Sequence, residues 1–324
     1  MIKGLAITPP ITGRISIGRV VERNGKRLPE KDDQFTITTQ IQGKDGWLQH
    51  SLDERLRNGQ EGAKLRSIPI RLMFNDPDLN LRADYSLFDR NTGRPMCTGN
   101  GETCRRFTGK GIETLPCPAP EGCELAKAGC KPYARLNVQI EVTESLPTTS
   151  PSTTPEAKPT RSREAGTFIF RTTGFNSIRT LAARLSYFEA LSGNRLSCLP
   201  LSMKLRAKTT TMSHRTPIYY ADITLRDGQS VEEALSNARA IEARRQSAGY
   251  DQVALDAAAR AGFANGAFED SDDDAAEVVE EFFPEQSEEG DRQRKADSDA
   301  GATAAKSQTS LREKLERKAM ATTN

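Results

Sequence analysis

MCTGNGETCRRFTGKGIETLPCPAPEGCELAKAGCK, residues 96–131, holds five of the six cysteines of this chain. These cysteines are Cys97, Cys104, Cys117, Cys123 and Cys130. The residues between them are rich in glycine and proline, which form turns and bury little apolar surface. We therefore expect a loop over 95–132 that something other than a hydrophobic core holds in shape.

The compartment decides how these cysteines are interpreted. The N-terminus lacks the long apolar core of a secretion signal, and no stretch approaches the roughly 20 apolar residues of a membrane span. We therefore expect a cytoplasmic protein with no membrane partner, and a reducing compartment disfavours disulfides. A structural zinc site is then the preferred interpretation, with free thiols and disulfides as the alternatives.

The spacing of the cysteines is wider than the C-x2–4-C of a zinc knuckle, so the metal prediction depends on clustering and compartment. Four thiolates are enough for tetrahedral zinc, which leaves one cysteine over. Cys104 is the one we omit, because an acidic residue and two arginines flank it. The predicted ligands are Cys97, Cys117, Cys123 and Cys130. Such a site has no open position for water and is structural.

Alternating apolar and polar residues predict strands on both sides of the loop. ISIGRVVE and FTITTQI, on either side of Asn24-Gly25, predict a hairpin. Residues 67–74 and 81–89 predict a strand pair around an Asp-Pro turn, and 133–142 alternates again. Residues 143–165 are rich in serine, threonine and proline, which predicts a flexible linker or insertion.

The C-terminal half alternates strands with helices. Residues 166–177 predict a strand, and 178–193 predict an amphipathic helix with Ser177 as its N-cap and Gly193 as its stop. Residues 200–209 and 216–227 predict a strand pair. The lone Cys198 is interpreted as a small buried hydrophobe rather than a ligand or a reactive thiol.

The expected fold class is α+β, with a mainly antiparallel sheet and one or two packed helices. The expected parts are 1–142, β-rich with the zinc loop at 95–132; 143–165, the linker; 166–228, a basic α/β part completing the core; 229–262, a helical extension; and 263–324, a disordered acidic tail with a short terminal helix.

The net charge of +2 hides two segments of opposite sign. Residues 161–226 carry eleven Lys/Arg and three Asp/Glu, whereas 267–291 carry twelve acids and no base. The candidate contacts to nucleic acid or a partner are Lys204, Arg206, Lys208 and Arg215. Alternation places the first three on one strand face, next to a Thr/Ser-rich turn. A solvated surface is the alternative.

The acidic segment contains two aromatic residues, Phe282 and Phe283, among its carboxylates. A solubilising tail is the first interpretation of such a segment. The alternatives are that the two rings dock into a partner protein, or that the carboxylates compete with DNA for the basic residues.

Signals for an enzyme are few. The chain has two histidines, and it lacks both the G-x-x-x-x-G-K-[ST] nucleotide loop and the G-x-S-x-G nucleophile elbow. We expect no catalysis, and a metal-dependent hydrolase is the least favoured class.

Residues 10–227 resemble the recombination directionality factor-like family of phages and integrative elements, many of whose members are labelled metal-binding proteins. The resemblance is carried by the G-R-x-x-x-G opening, the cysteine-rich turn ending in C-K-P-Y-x-R-L, and T-x-G-[FY]-N-[SA] before the helix. It implies a non-enzymatic accessory protein that contacts DNA and a large serine integrase, with the metal turn at the four cysteines assigned above. A single-strand DNA binding or annealing protein is the alternative function.

Overall fold

The computed structural model describes residues 10–23, 26–43, 46–57, 62–141, 166–209, 216–262 and 275–283. The chain divides into two compact units: Met1–Arg19 with Glu30–Phe283, and Val20–Pro29 with Pro284–Asn324. Of the second unit only strand backbone is described, so every side-chain contact below lies within the first. The predicted linker at 143–165, the Asn24-Gly25 turn, Arg215 and the tail beyond 283 lie outside the described residues.

The described strands are β1 (Ile11–Arg23), β2 (Lys26–Gly43), β3 (Gly46–Gln49), β4 (Ser67–Arg71), β5 (Leu81–Phe88), β6 (Pro95–Gly99), β7 (Thr103–Thr108), β8 (Gly111–Pro116), β9 (Lys131–Ile140), β10 (Thr167–Thr172), β11 (Leu201–Lys208) and β12 (Ile218–Leu225). The described helices are α1 (Ser51–Leu56), α2 (Pro77–Asn80), α3 (Ala119–Gly122), α4 (Phe175–Ser192), α5 (Val231–Ser247), α6 (Gln252–Gly262) and α7 (Ala275–Phe282). None of these helices is long and apolar enough to cross a membrane.

The strands form one mixed sheet with the order β3-β2-β1-β10-β9-β5-β6-β7-β8. Strand β4 pairs with β9 and β11, and β12 pairs with β11. Strands β1 and β10 are parallel, whereas β9 is antiparallel to both β10 and β5. The predicted pair of 200–209 with 216–227 is confirmed as the antiparallel pair β11 and β12. The fold is α+β with a mostly antiparallel sheet, as the sequence predicts.

The main core lies on one face of this sheet. Alternate residues of β9, among them Leu136 and Val138, are buried there with Phe170 of β10. Helix α4 covers this core face with Leu181 and Leu185, which are also fully buried. Because the intervening residues of β9 point the other way, Tyr133 and Arg135 lie on the opposite face, which we call the outer face.

Strands β4 and β5 do not form the predicted pair, because β9 lies between them. The Asp-Pro sequence begins a helical turn instead of a hairpin: Pro77 is the first residue of α2, and Asp76 caps it with a side-chain oxygen 2.9 Å from a backbone nitrogen. The Asn80 amide oxygen accepts two further backbone hydrogen bonds at 3.2 Å. Helix α2 thus separates β4 from β5 along the chain, and β9 lies between these two strands in the sheet.

Helix α4 ends as predicted but begins earlier. Gly193 follows its last residue in the left-handed conformation, with φ of 61°. Gly174, not Ser177, is the N-cap. Ser177 is buried inside the first turn, where its hydroxyl accepts a hydrogen bond from the backbone N–H of Ala221 at 3.1 Å. The prediction for Ser177 was wrong because this residue joins the helix to β12.

The acidic tail is not without structure in its first part. Residues 275–282, within the segment predicted to be disordered, form α7. Val278 and Phe282 of this helix are buried with Phe88 and Tyr133 on the outer face of the sheet. Docking of Phe282 into a partner protein, as the sequence suggested, would therefore require that α7 leave its own sheet.

Candidate functional site

The cysteine-rich stretch is mostly sheet rather than the predicted loop. Strands β6, β7 and β8 form an antiparallel meander at one end of the sheet, and the turn between Thr108 and Gly111 closes its second hairpin. Helix α3 and a 3-10 turn over Glu124–Ala126 then lead into β9. Turn residues thus separate three short strands and form the connection from β8 to β9.

The meander brings the cysteines together on its core-facing side. Cys97, Cys104 and Cys117 are buried with Leu87 in a small apolar cluster separate from the main core. Cys130 is half-buried and packs against this cluster. Cys123 is also half-buried, at the start of the 3-10 turn.

The backbone of β6 approaches two cysteines closely at Gly99. A Cβ atom at this position would lie 2.6 Å from the Cβ of Cys104 and 2.8 Å from the Sγ of Cys117. These distances are shorter than real side chains allow, so glycine is required there. Cys104 also donates a hydrogen bond from Sγ to the carbonyl of Pro116 at 3.6 Å.

The cluster disfavours thiolates unless a positive charge compensates them. Burial, followed by the hydrogen bond and charge of Cys97, raises the pKa of Cys104 to about 11. Burial, followed by the charges of the other four cysteines, raises the pKa of Cys130 to about 11. The hydrogen bond to Cys97 raises the pKa of the Arg106 guanidinium, which lies beside the cluster.

All six cysteines are free thiols in the structure. Cys198 is buried in the main core, as predicted, and belongs to a different cluster from the other five. Among the described residues, no group of three or more His, Cys, Asp or Glu side chains is arranged to hold a metal ion. The donor set nonetheless has the chemistry of a zinc site, since charge interactions link all five cysteines. The zinc assignment and the omission of Cys104 therefore stay predictions.

The opposite side of the meander belongs to the outer face of the sheet. Strand register places five residues in one row across β9, β5, β6, β7 and β8: Lys131, Ser86, Thr98, Arg105 and Thr114. Residues two positions along each strand share this face. Met96, Phe107 and Ile112 therefore lie beside the row, and Phe107 is directly opposite Ile112.

These three apolar side chains are exposed to solvent, Met96 to 42%, Phe107 to 60% and Ile112 to 46%. We call them the apolar stripe. Contiguous exposed apolar residues mark protein contact surfaces more often than scattered ones do. Sequence reasoning missed the stripe, although the Gly109-Lys110-Gly111 turn between two alternating runs is the signal that could have revealed it.

The predicted basic row lies on β11, and acceptors of the same unit bind its side chains. Lys204 forms an ion pair with Asp227. Arg206 lies 3.3 Å from the buried carboxylate of Asp222, and Lys208 donates to the amide oxygen of Asn176 at 2.6 Å. These pairs reduce the positive charge available to an anion. The role of these residues in binding nucleic acid stays a prediction.

The aromatic residues of the basic half are divided between core and surface. Phe168 and Phe170 are fully buried in the main core, so they cannot stack on unpaired bases. Phe175 and Tyr187 are more than half exposed at the start and middle of α4. Two of these four aromatic residues thus belong to the core, and two lie on the surface.

Residues 12–226 match the family model described as Gp3-like, Recombination directionality factor-like. The chain belongs to this family. The match to the recombination directionality factor-like family contains the whole meander and the sheet, and it ends directly after β12. Helices α5, α6 and α7 lie beyond it. No curated protein and no solved structure matches the chain.

Proposed function

We propose that this chain is a non-enzymatic accessory factor of a phage or mobile element, and that it modulates a DNA recombinase by protein and DNA contact. The observation that carries this proposal is the family match over residues 12–226. The resemblance of the sequence to that family implies a large serine integrase as the partner.

We further propose that a structural Zn²⁺ is held by Cys97, Cys117, Cys123 and Cys130. The fold supports this ligand set because one end of the meander gathers two buried and two half-buried thiols. When bound, zinc cross-links its thiolates into a closed tetrahedral site. The cysteines would thereby join β6 to the turns that precede β9, and so fix the orientation of the meander.

The apolar stripe is the contact surface that this arrangement would position. Its residues lie on the side of the meander opposite the cysteines, so ligand side chains and contact side chains do not compete for space. The proposed DNA contacts are Lys204, Arg206, Lys208 and Arg215. To bind phosphate, Lys204, Arg206 and Lys208 would have to exchange their present acceptors on Asp227, Asp222 and Asn176 for phosphate oxygens.

Recombination in vitro tests the proposed function. The purified full chain is added to the serine integrase encoded on the same genetic element, with plasmids that carry either the original site pair or the recombinant junctions. We expect the chain to promote recombination of the junctions and to suppress that of the original sites. Unchanged rates on both substrates would overturn the proposal.

Binding to oligonucleotides over a salt series separates this function from the alternative. A recombinase accessory factor is expected to bind DNA weakly when alone. Tight single-strand binding that falls steeply with salt, without any recombinase, would favour a single-strand binding protein instead.

Metal analysis tests the zinc site separately. Protein purified under reducing conditions is expected to contain about one zinc per chain. Cys97→Ser and Cys117→Ser should lose this metal, whereas the matched controls Cys104→Ser and Cys198→Ser should retain it. Absence of stoichiometric zinc in the unmodified chain would refute the site.

A further inference from the structure

Helix α7 packs on the outer face of the sheet through an aromatic site. Phe282 is fully buried, with its ring edge-on to Phe88 at 5.0 Å and to Tyr133 at 6.2 Å between centroids. Val278, one helical turn earlier, is buried in the same cluster. The helix thus uses an apolar residue and an aromatic residue at i and i+4, which lie on one side of a helix.

Two cations stand at the rim of this site. The Lys131 ammonium lies 4.6 Å from the Phe282 ring centroid and donates a hydrogen bond to the Phe282 carbonyl. The Arg90 guanidinium lies 5.5 Å from the ring of Phe283. Cations over aromatic faces are attractive, and a cation at the C-terminus of a helix also meets the negative end of its dipole.

The sheet also contacts a carboxylate of α7. The backbone N–H of Thr173, directly after β10, donates to the carboxylate of Glu281 at 3.0 Å. The site therefore binds four features of one short segment: an apolar side chain, a buried ring, a half-buried second ring and a carboxylate. This combination is more specific than burial of an apolar surface alone.

The site and the helix that fills it belong to different parts of the chain. Phe88, Arg90, Lys131 and Tyr133 all lie within the matched residues 12–226, whereas α7 lies beyond them. Helix α7 has only eight residues, and residues 263–274 separate it from α6. The sheet thus carries the site in its family-matched part, and a segment outside that part occupies it.

We propose that Phe88, Tyr133, Lys131 and Arg90 form a recognition site for acidic amphipathic helices that carry an aromatic pair. Helix α7 fills this site within the chain, and an acidic helix of a partner protein binds there by displacing α7. The site under α7 adjoins the apolar stripe, and its recognition of an acidic helix does not rest on the recombinase role.

The apolar stripe explains how a partner could compete with a tethered helix. A segment tethered by a short linker has an effective concentration in the millimolar range, so an identical free peptide binds poorly. The row from Lys131 to Arg105 continues the same face from the α7 site to the stripe. A longer helix would therefore reach Phe107 and Ile112, which α7 leaves exposed.

A labelled peptide tests the site. The probe is a fluorescein-labelled peptide of residues 268–286, added to the full chain and followed by fluorescence anisotropy. The full chain with Val278→Ser and Phe282→Ala, whose own α7 can no longer fill the site, is expected to bind the probe at least about tenfold more tightly than the unmodified chain. No binding by this folded variant would overturn the proposal.

Two substitutions in the emptied variant show whether the peptide occupies the proposed site. Lys131→Ala should weaken the peptide about tenfold or more, because it removes both the hydrogen bond and the ring contact. Lys110→Ala, at an exposed lysine of the β7–β8 turn, is the matched control and should leave binding unchanged. Equal effects of the two substitutions would overturn the assignment of the site.

Hydrogen exchange of the unmodified chain gives a second measurement that needs no variant. If α7 is displaceable, the backbone N–H groups of 279–283 exchange much faster than those of β9, through opening of α7 alone. Exchange of both segments at one rate, through global unfolding, would show that α7 is a fixed part of the fold and would overturn the proposal.

Discussion

A buried ion pair gives the sharpest prediction for stability. Arg71 of β4 donates to the Glu141 carboxylate from Nε at 2.7 Å, and both side chains are at most 5% exposed. Arg226, directly after β12, donates to the other oxygen of the same carboxylate. Glu141 therefore joins three segments that are distant in sequence.

The magnitude follows from the pKa of Glu141. Burial alone would raise this pKa, but the hydrogen bonds and charges of Arg71 and Arg226 outweigh burial and lower it from 4.5 to about 2. Because the folded state holds the carboxylate at a lower pKa than the unfolded state does, the stabilisation is fully present above about pH 4.5 and is lost as the pH falls toward 2. A shift of this size corresponds to about 3 kcal/mol.

The assay is urea unfolding of the unmodified chain and of Glu141→Gln between pH 7 and pH 3. At pH 7 the variant is expected to be less stable by about 3 kcal/mol or more, since the buried Arg71 and the half-buried Arg226 lose their counter-charge. The difference between the two chains should shrink as the pH falls below about 4.5, because the unfolded state of the unmodified chain then takes up a proton at Glu141 that the folded state resists. A difference that stays constant over this range would refute the reasoning.

Three further variants test other parts of the structure. Gly99→Ala should lower the unfolding free energy by about 1–3 kcal/mol, because the added Cβ would overlap two cysteines. Urea unfolding of the variant and the unmodified chain measures this difference, and an unchanged unfolding midpoint would contradict it. Phe107→Ser with Ile112→Ser should weaken recombinase binding about tenfold in surface plasmon resonance at unchanged stability, whereas the equally exposed control Tyr187→Ser should not. Gly193→Ala should cost about 1 kcal/mol of stability in thermal unfolding, because alanine is strained at φ of 61°, and an unaltered transition would exclude that strain.

Elements with a clear local signal were predictable from the sequence. The alternating runs at β11 and β12 gave a correct strand pair, and Gly193 gave the end of α4. The isolated Cys198 was correctly placed in the core. In these cases the pattern and the local backbone conformation agree, so no distant contact was needed to decide between alternatives.

Pairing between distant segments was not predictable. Asp76-Pro77 has the composition of a tight turn, but the same two residues are equally suited to cap and begin a helix. Only the insertion of β9 between β4 and β5 selects the second arrangement, and that contact lies more than fifty residues further along the chain. Ser177 is a similar case, because its partner Ala221 is on a strand that forms later in the sequence.

The sequence predicted the cysteine cluster of the candidate site, but it did not predict the two surfaces on the outer face of the sheet. Clustering identified the five cysteines, yet the glycine and proline content concealed the hairpin that exposes Phe107 and Ile112. The site under α7 was also hidden, since Phe88 and Tyr133 have ordinary strand patterns. They form a site only together with α7, a helix in a segment whose composition predicted disorder.

The parallel pairing of β1 with β10 has a consequence for the order of folding. Ile11 is opposite Thr167, so this contact spans about half of the chain. Among the described strands, β10 is the one that joins β1 to β9 and so to the rest of the sheet, and this connection must wait until β10 has been synthesised. Contacts of such long range form slowly. We therefore expect the N-terminal strands to be the last to gain protection when the denatured chain is refolded.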